Sequence, residues 1–269
     1  MRKTVCLLAC ALALCSCAVR KELSILHVND THSHHEAMRT APYEGRGGII
    51  ERAAIIDSVR SERGEYGVLL LHAGDFNQGS SYYTELGGSL EVNVINAMRY
   101  DCITLGNHEF DNGIEDLALR LERVKCPVVC ANVDFGGTPL ASLVSPYAII
   151  EKAGKRIGII GAAPDLSSNV ADHISKSLRQ MDTAEAVGKW AEYLHKVEKC
   201  DMIILLSHLG YEDDIALVPQ TRWLDLVVGG HSHTFVDDLL YVRDASGRKV
   251  PVITDGCWGF SVGEVTVRF

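Results

Sequence analysis

The chain has 269 residues, with 35 acidic side chains against 26 basic ones, which gives a formal net charge of −9 at pH 7. A protein this acidic is a poor general binder of nucleic acid, because contact with a phosphate backbone depends on clustered Lys and Arg side chains. The length suits one large domain or two small ones, and no Pro/Ser-rich linker or internal repeat divides it. We therefore expect one domain and no nucleic-acid polymer as partner.

The first sixteen residues have the pattern of an export signal. Arg2 and Lys3 precede an apolar run, 5–14, that is too short to span a bilayer. The run ends in Leu14-Cys15-Ser16-Cys17, which resembles a bacterial lipobox and implies cleavage before Cys17 and acylation of that residue. We expect a lipoprotein signal peptide over 1–16, a lipid-anchor tether over 17–22 and an exported, membrane-anchored protein of a bacterial cell envelope. An ordinary signal peptide with incidental cysteines is the alternative.

Five cysteines remain once the signal and the anchor are set aside: Cys102, Cys126, Cys130, Cys200 and Cys257. An odd number cannot all pair within one chain, and their scatter contains no C-x-x-C spacing. Cys102 and Cys130 lie in apolar runs, where a thiol behaves as a small hydrophobe. We therefore expect structural thiols.

Short apolar runs alternate with amphipathic segments along much of the chain. The predicted strands are 23–28, 68–72, 102–105, 128–133, 156–162, 201–206, 226–228, 250–254 and 262–269, and the predicted helices are 49–59, 90–98, 113–125 and 183–198. In the last helix Val187, Ala191, Leu194 and Val197 share the apolar face. This alternation predicts an α/β fold, and runs that are apolar at successive positions predict a sheet covered on both faces. The last two strands have no helix between them and are expected to form a hairpin or meander.

Polar residues that can bind metals follow the downstream ends of five predicted strands. In chain order they are Asn29-Asp30-Thr31-His32, Gly74-Asp75, Gly106-Asn107-His108-Glu109-Phe110-Asp111, Ser207-His208 and Gly229-Gly230-His231-Ser232-His233. Because the carboxyl ends of strands gather in one crevice of an open α/β sheet, these motifs can form one site. Carboxylate, imidazole and amide groups suit borderline and hard divalent cations. Two cations roughly 3.5–4 Å apart need a shared ligand, for which Asp75 is the candidate.

Other polar and aromatic residues are expected to have structural or solvated positions. His27 and His72 are expected in the core or directly behind the ligands. His34 and His35 are expected in a solvated loop, with a place near the site as the alternative. The acidic residues 212–214 are also assigned to a solvated loop. Trp223 and Trp258 are expected to have ordinary packing roles, with a place in a pocket wall as the alternative.

The ordered motifs resemble those of a known family. Asp30-x-His32, Gly74-Asp75, Gly106-Asn107-His108-Glu109, His208 and Gly230-His231-x-His233 are similar to the motifs of the calcineurin-like dimetal phosphoesterases. Longer matches resemble the catalytic domain of the 5′-nucleotidase family over essentially all of 23–269. They include Asn29-Asp30-Thr31-His32 and Gly106-Asn107-His108-Glu109-Phe110-Asp111-x-Gly113. The resemblance implies a four-layer αββα sandwich of two mixed sheets flanked by helices.

The resemblance also implies two divalent metal ions and their ligands. One metal takes Asp30, His32, Asp75 and His233, and the other takes Asp75, Asn107, His208 and His231. His108 and Asp111 form the implied catalytic dyad, in which the carboxylate orients the imidazole. Some 5′-nucleotidases have an amide residue in place of His233, so Zn, Mn and similar ions all remain open.

The implied function is hydrolysis of phosphate monoesters, including nucleotides, by metal-activated water without a phosphoenzyme. Nucleotide-specific members usually carry a C-terminal domain that stacks the base, and this domain is expected to be absent because the chain ends at Phe269. A self-sufficient phosphomonoesterase, the catalytic half of a split enzyme with a separate substrate-binding polypeptide, and a non-catalytic lipoprotein are the three alternatives. The intact dyad argues against the third. Thiosulfate-ester hydrolysis is a chemically more distant possibility.

Two substitutions separate metal binding from turnover. Asp75→Asn is expected to remove most bound metal and most activity, because the shared ligand loses its charge. His108→Asn is expected to lose turnover and keep its metal. Metal content and phosphate release check both variants, and full activity in either would contradict the assignment.

Overall fold

The computed structural model describes residues 22–269. The predicted signal peptide 1–16 and the predicted lipidation site Cys17 lie outside the described residues, together with all of the tether except Glu22. In the described part of the chain, no helix combines the length and the apolar character needed to cross a membrane.

Residues 22–269 form a mixed α/β structure. The strands are β1 (Glu22–Val28), β2 (Val68–His72), β3 (Cys102–Thr104), β4 (Val128–Val129), β5 (Val133–Asp134), β6 (Val144–Ser145), β7 (Tyr147–Lys152), β8 (Lys155–Ala162), β9 (Arg179–Gln180), β10 (Met202–Ser207), β11 (Leu226–Val228), β12 (Leu240–Arg243), β13 (Lys249–Ile253) and β14 (Gly263–Arg268). The helices are α1 (Ile49–Arg63), α2 (Ser81–Leu86), α3 (Ser89–Met98), α4 (Ile114–Leu121), α5 (Leu166–Asn169), α6 (Asp172–Ser175), α7 (Thr183–Lys196) and α8 (Tyr211–Leu217). Short 3-10 helices cover Glu65–Gly67, His108–Phe110, Pro139–Ser142 and Val218–Gln220.

The strands form two large mixed sheets. The first has the order β14-β1-β2-β3-β4-β6, in which only β14 is antiparallel to its neighbour. The second has the order β12-β13-β11-β10-β8-β7, with antiparallel strands at both edges. Strands β5 and β9 form a separate antiparallel pair.

Successive residues of β2 show how the sheets are layered. Leu69 and Leu71 pack between the two sheets, with partners that include Ile159 and Leu206. Leu70 points to the opposite face of its sheet, because side chains alternate along a strand, and packs in a cluster with residues of α1, α3 and α4. A third cluster covers the outer face of the second sheet with residues of α7. Three apolar layers separate four layers of backbone, so the predicted four-layer αββα fold is confirmed.

The predicted hairpin of the last two strands is wrong. Strand β13 pairs with β11 and β12 in the second sheet, whereas β14 pairs with β1 in the first, with Arg268 opposite Glu22. The segment 254–262 therefore crosses from one sheet to the other. Periodicity indicates that a segment is extended, but it does not specify which edge the segment joins.

Helix α7 ends short of its predicted bound. The helix stops at Lys196, and Val197, assigned to the apolar face, is 60% exposed. Ala191 and Leu194 lie in the core as expected. The five cysteines of the described residues are free, as expected for structural thiols.

Two glycine substitutions test the close approach of the two sheets. A Cβ at Gly161 in β8 would lie 2.0 Å from the carbonyl oxygen of Val129 in β4, whereas a Cβ at Gly188 in α7 meets no atom within 4 Å. We expect Gly161→Ala to lower the free energy of unfolding by about 1–3 kcal/mol, because the backbones must separate. Gly188→Ala is expected to raise it by up to about 1 kcal/mol, because alanine favours a helix interior. Denaturant titration measures both, and a neutral Gly161→Ala would contradict the predicted contact.

Candidate metal centre

Both sheets contribute to one site at the downstream ends of their strands. Strands β1, β2 and β3 of the first sheet lead into Asp30, Asp75 and Asn107, and β10 and β11 of the second lead into His208 and His231. Groups far apart in sequence therefore converge where parallel strands end. Within the described residues, three groups of side chains have ligand atoms within 4.8 Å of one another, namely Asp30/His32/His233, His32/Asp75/His108 and Asp75/His208/His231.

Several residues of this site have strained backbone conformations. Positive φ values are found at Asp30 (48°), His32 (46°), Asp75 (52°), His231 (73°) and His233 (54°). Such conformations cost non-glycine residues on the order of 1–3 kcal/mol each and persist where neighbouring contacts hold them. Here the Asp30 N–H donates to the Gly74 carbonyl at 3.0 Å, and the His32 N–H donates to the Asp75 carbonyl at 3.1 Å. The two loops thus fix each other's turns.

The first candidate metal position lies between Asp30, His32 and His233. The Nε2 atom of His233 is 3.3 Å from Asp30 Oδ1 and 3.0 Å from His32 Nε2. Asp30 is fully buried, and its Oδ1 atom accepts no hydrogen bond among the described residues. Because a buried carboxylate oxygen requires a partner, this arrangement fits a divalent cation.

The second candidate position lies between Asp75, His208 and His231. His208 Nε2 is 3.0 Å from Asp75 Oδ2, and His208 Nδ1 donates to the Ala73 carbonyl at 2.5 Å. That hydrogen bond orients the ring and leaves Nε2 as the ligand atom, as is usual for metal-binding histidines. Asn107 Oδ1 is buried without a hydrogen-bond partner in the described part of the chain, and Asn107 lines the same pocket as Asp75 and His231. Its role as a ligand of this position stays a prediction.

Asp75 faces both positions. Its Oδ2 atom is 3.0 Å from His208 Nε2 and 3.9 Å from His32 Nε2, while its Oδ1 atom accepts the His108 N–H at 2.9 Å. Gly106 is required beside it, because a Cβ there would lie 2.1 Å from Asp75 Oδ1. This geometry suits a shared ligand, and the bridging role stays a prediction.

The charges of the site compensate one another. Burial opposes ionisation of Asp30, yet neighbouring His208 keeps its pKa below the usual value. Burial disfavours the cation of His208, but the charges of Asp75 and Asp30 raise its pKa to about 10. The adjacent Asp30 carboxylate raises the pKa of His233 to about 10 as well. Because metal ligands must be deprotonated, cation binding would release the imidazole protons.

His108 and Asp111 lie together beside the candidate metal positions. His108 Nδ1 donates to Asp111 Oδ2 at 2.9 Å, and this hydrogen bond raises the pKa of His108. The His108 ring is 5.4 Å from the His32 ring, between centroids. Both side chains of the pair are about one-third exposed. The hydrogen bond to Asp111 therefore orients the His108 imidazole and favours its protonated form. The ring is also accessible to a ligand.

The sequence interpretation gave Glu109 no role, although the structure shows that it connects two of the loops. Its buried carboxylate accepts N–H groups from Gly106 (2.7 Å), Asp75 (2.9 Å), Phe76 (3.0 Å) and Asn77 (3.3 Å). Burial, with the charge of Asp75, raises the pKa of Glu109 to about 7. Its place beside His108 in the third motif was a signal that Glu109 has a role in the site. No sequence spacing, however, indicates its contact with the Asp75 loop.

Three of the residues assigned to solvated loops have other surroundings. His34 lines a pocket at the candidate metal centre, together with Trp258. His35 is buried and its Nε2 atom is 3.0 Å from Glu91 Oε1. Asp214 is fully buried, and burial raises its pKa to about 7. The spacing of Asp214 from buried Leu217 in α8 was a signal of an inward side chain. His27 and His72 are buried, as expected.

A four-layer sandwich with acidic, imidazole and amide groups at the strand ends defines a dinuclear metallophosphoesterase architecture. The chain belongs to the calcineurin-like phosphoesterase family, whose family model matches residues 23–235. The resemblance inferred from the motifs is therefore confirmed. Members of this family use two divalent metals, and the described residues hold matching ligand clusters.

Several proteins similar to this chain are 5′-nucleotidases. The chain is 34% identical to a snake venom 5′-nucleotidase from Naja atra over 92% of this chain and 50% of the relative. It is 33% identical to a human 5′-nucleotidase over 98% of this chain and 49% of the relative. A 5′-nucleotidase precursor from Thermus thermophilus superposes with a TM-score of 0.84 at 31% identity, over 92% of this chain and 51% of that one. The chain thus spans about half the length of these relatives.

Replacing Glu109 tests the connection between the loops. In Glu109→Gln an NH₂ group takes the place of one carboxylate oxygen, so two backbone N–H groups lose their acceptor. We expect a loss of about 1–3 kcal/mol of folding free energy for each unpaired donor, and weaker metal binding. Glu115→Gln, on the exposed side of α4, is the matched control. Denaturant titration and metal titration measure both effects, and a Glu109→Gln variant equal to the control would refute the connection.

Proposed function

We propose that the protein hydrolyses small phosphate monoesters and that nucleoside 5′-monophosphates are among its substrates. The observation that carries this proposal is the pair of ligand clusters Asp30/His32/His233 and Asp75/His208/His231. Asp75 faces both clusters, and the His108/Asp111 pair lies beside them. Family membership and similarity to 5′-nucleotidases support the same reaction class. A binding protein would have no need of an oriented, positively biased imidazole next to the clusters.

Two divalent cations, when bound, supply positive charge for the phosphate oxygens and lower the pKa of water from 15.7 toward about 7. Asp30 and Asp75 would hold them and reduce their mutual repulsion. In the hydrolysis, the P–O bond to the incoming water oxygen forms, the P–O bond to the leaving oxygen breaks, and the leaving oxygen takes up a proton. Because water is the nucleophile, no side chain forms a phosphoenzyme.

His108 acts on the phosphoryl group in this proposal. Asp111 accepts the Nδ1–H, which leaves Nε2–H of the imidazolium free to donate to a phosphate oxygen. Negative charge that grows on these oxygens in the transition state strengthens that hydrogen bond. The raised pKa of His108 favours the required cation.

The length of the relatives supports a second candidate. Each matched 5′-nucleotidase is about twice as long as the matched region. In this second candidate function, a further domain or a separate polypeptide would supply part of the substrate contacts.

Export and anchoring of the chain at Cys17 remain a proposal that rests on the sequence of its first seventeen residues.

Phosphate release by the full chain tests the proposal. Adenosine 5′-monophosphate, p-nitrophenyl phosphate and glycerol 3-phosphate are offered after chelation and again after addition of Mn²⁺ or Zn²⁺. We expect no release after chelation, recovery with metal, and loss in His108→Asn but not in His195→Asn, a matched change on the exposed face of α7.

The outcomes separate the candidates. If the chain binds two metals and releases phosphate from none of the esters, it is not a self-sufficient enzyme. Release that begins only when the C-terminal half of a 5′-nucleotidase is added would instead support the second candidate.

A further inference from the structure

The metal centre opens into a pocket with an aromatic wall. The pocket has a volume of about 530 Å³ and is lined at its metal end by the candidate ligands and His108. Farther along, its walls are formed by His34, Trp258, Gln78, Gly79 and Asn169. A phosphoryl group at the ligands leaves most of this space free, so the aromatic wall lies where the leaving group of a phosphate ester would extend.

The wall is held by the backbone of two candidate ligands. The rings of His34 and Trp258 stack at 5.0 Å between centroids, with 21° between their planes. The Trp258 N–H donates to the Asp30 carbonyl at 2.6 Å, and His34 Nδ1 donates to the His32 carbonyl at 2.9 Å. The distance from this wall to the metal positions is therefore set by the loops that carry the ligands.

Further aromatic rings pack around Trp258. Phe260 packs edge-on against Trp258 at 5.6 Å, and Tyr43 stacks on Phe260 at 4.6 Å. The guanidinium of Arg46 lies 5.9 Å from the centre of the Phe260 ring. These contacts fix the orientation of the Trp258 ring.

We propose that Trp258, with His34, forms a leaving-group subsite for flat rings, such as the base of a nucleoside or an aryl group. This inference rests on the proposed function and adds a specificity determinant within this chain. Every nucleobase has a π face, so stacking on the aromatic wall of His34 and Trp258 would bind different bases without selecting among them. Esters with small aliphatic leaving groups would gain nothing from the wall.

The chain provides a matched control. Trp223 also has a positive φ, of 75°, and also stacks on a histidine, His195, at 3.9 Å. The Trp223/His195 pair does not line the pocket. Comparison of the two tryptophans therefore separates the effect of the pocket from the general effect of losing a Trp–His stack.

Steady-state kinetics of the full, metal-loaded chain test the subsite. The variants are Trp258→Leu, Trp258→Phe and Trp223→Leu, and the substrates are adenosine 5′-monophosphate and glycerol 3-phosphate. We expect Trp258→Leu to raise KM for the nucleotide by roughly ten-fold, since stacking on one ring is worth about 1–3 kcal/mol per base. Its kinetics with glycerol 3-phosphate should stay within about two-fold of wild type. Trp258→Phe should restore most of the difference, and Trp223→Leu should change neither substrate.

The failures are distinguishable. If Trp258→Leu changes KM equally for both substrates, or for neither, the subsite is refuted and the hydrolase stands. If wild type hydrolyses neither ester, the self-sufficient hydrolase fails, and adenosine binding decides the subsite. Adenosine binding gives a measurement that depends neither on turnover nor on the Trp258→Leu variant. Adenosine should quench the tryptophan fluorescence of wild type, and it should quench that of Trp258→Phe much less. Equal quenching in these two proteins would overturn the inference.

Discussion

The structure depends on keeping two buried carboxylates, Asp30 and Asp75, ionised at one edge of the fold. Removing a charge from water costs several kcal/mol unless a compensating charge or hydrogen bond replaces the water. Imidazoles of His208 and His233 lie within 3.0–3.3 Å of these carboxylates and can carry that compensating charge as protons. Divalent cations would do the same more strongly, which is why this cluster favours exchange of protons for metal.

Such a concentration of charge requires a rigid frame. The two sheets bring their strand ends to a common edge, and the loops beyond them adopt strained turns that project the ligands inward. Glu109 holds the Asp75 loop to the loop of Asn107 through four backbone hydrogen bonds. On the other side, Trp258 is fixed to the Asp30 backbone by the segment that crosses between the sheets. The crossing of that segment thus positions part of the pocket as well as completing the first sheet.

Much of the architecture followed from local patterns. The bounds of β2 and β11 agree with the predicted strands, because short apolar runs ended by Gly or polar residues define buried parallel strands. The order of the metal-competent motifs predicted one shared edge for Asp30, Asp75 and His208, and the structure brings these side chains together. Local patterns did not show which distant segments contact each other in the folded chain. The sheet joined by β14 and the contact of Glu109 with a loop 32–34 residues away are long-range choices that periodicity does not encode.

We propose that these ligands hold two cations close together around Asp75. Electron paramagnetic resonance of the full chain titrated with Mn²⁺ measures this directly, because two Mn²⁺ ions roughly 3.5–4 Å apart are magnetically coupled. We expect a coupled spectrum at two Mn²⁺ ions per wild-type chain. In Asp75→Asn, we expect the spectrum of isolated ions or no bound Mn²⁺. A wild-type spectrum of isolated Mn²⁺ at every loading, or coupling that persists in Asp75→Asn, would contradict it.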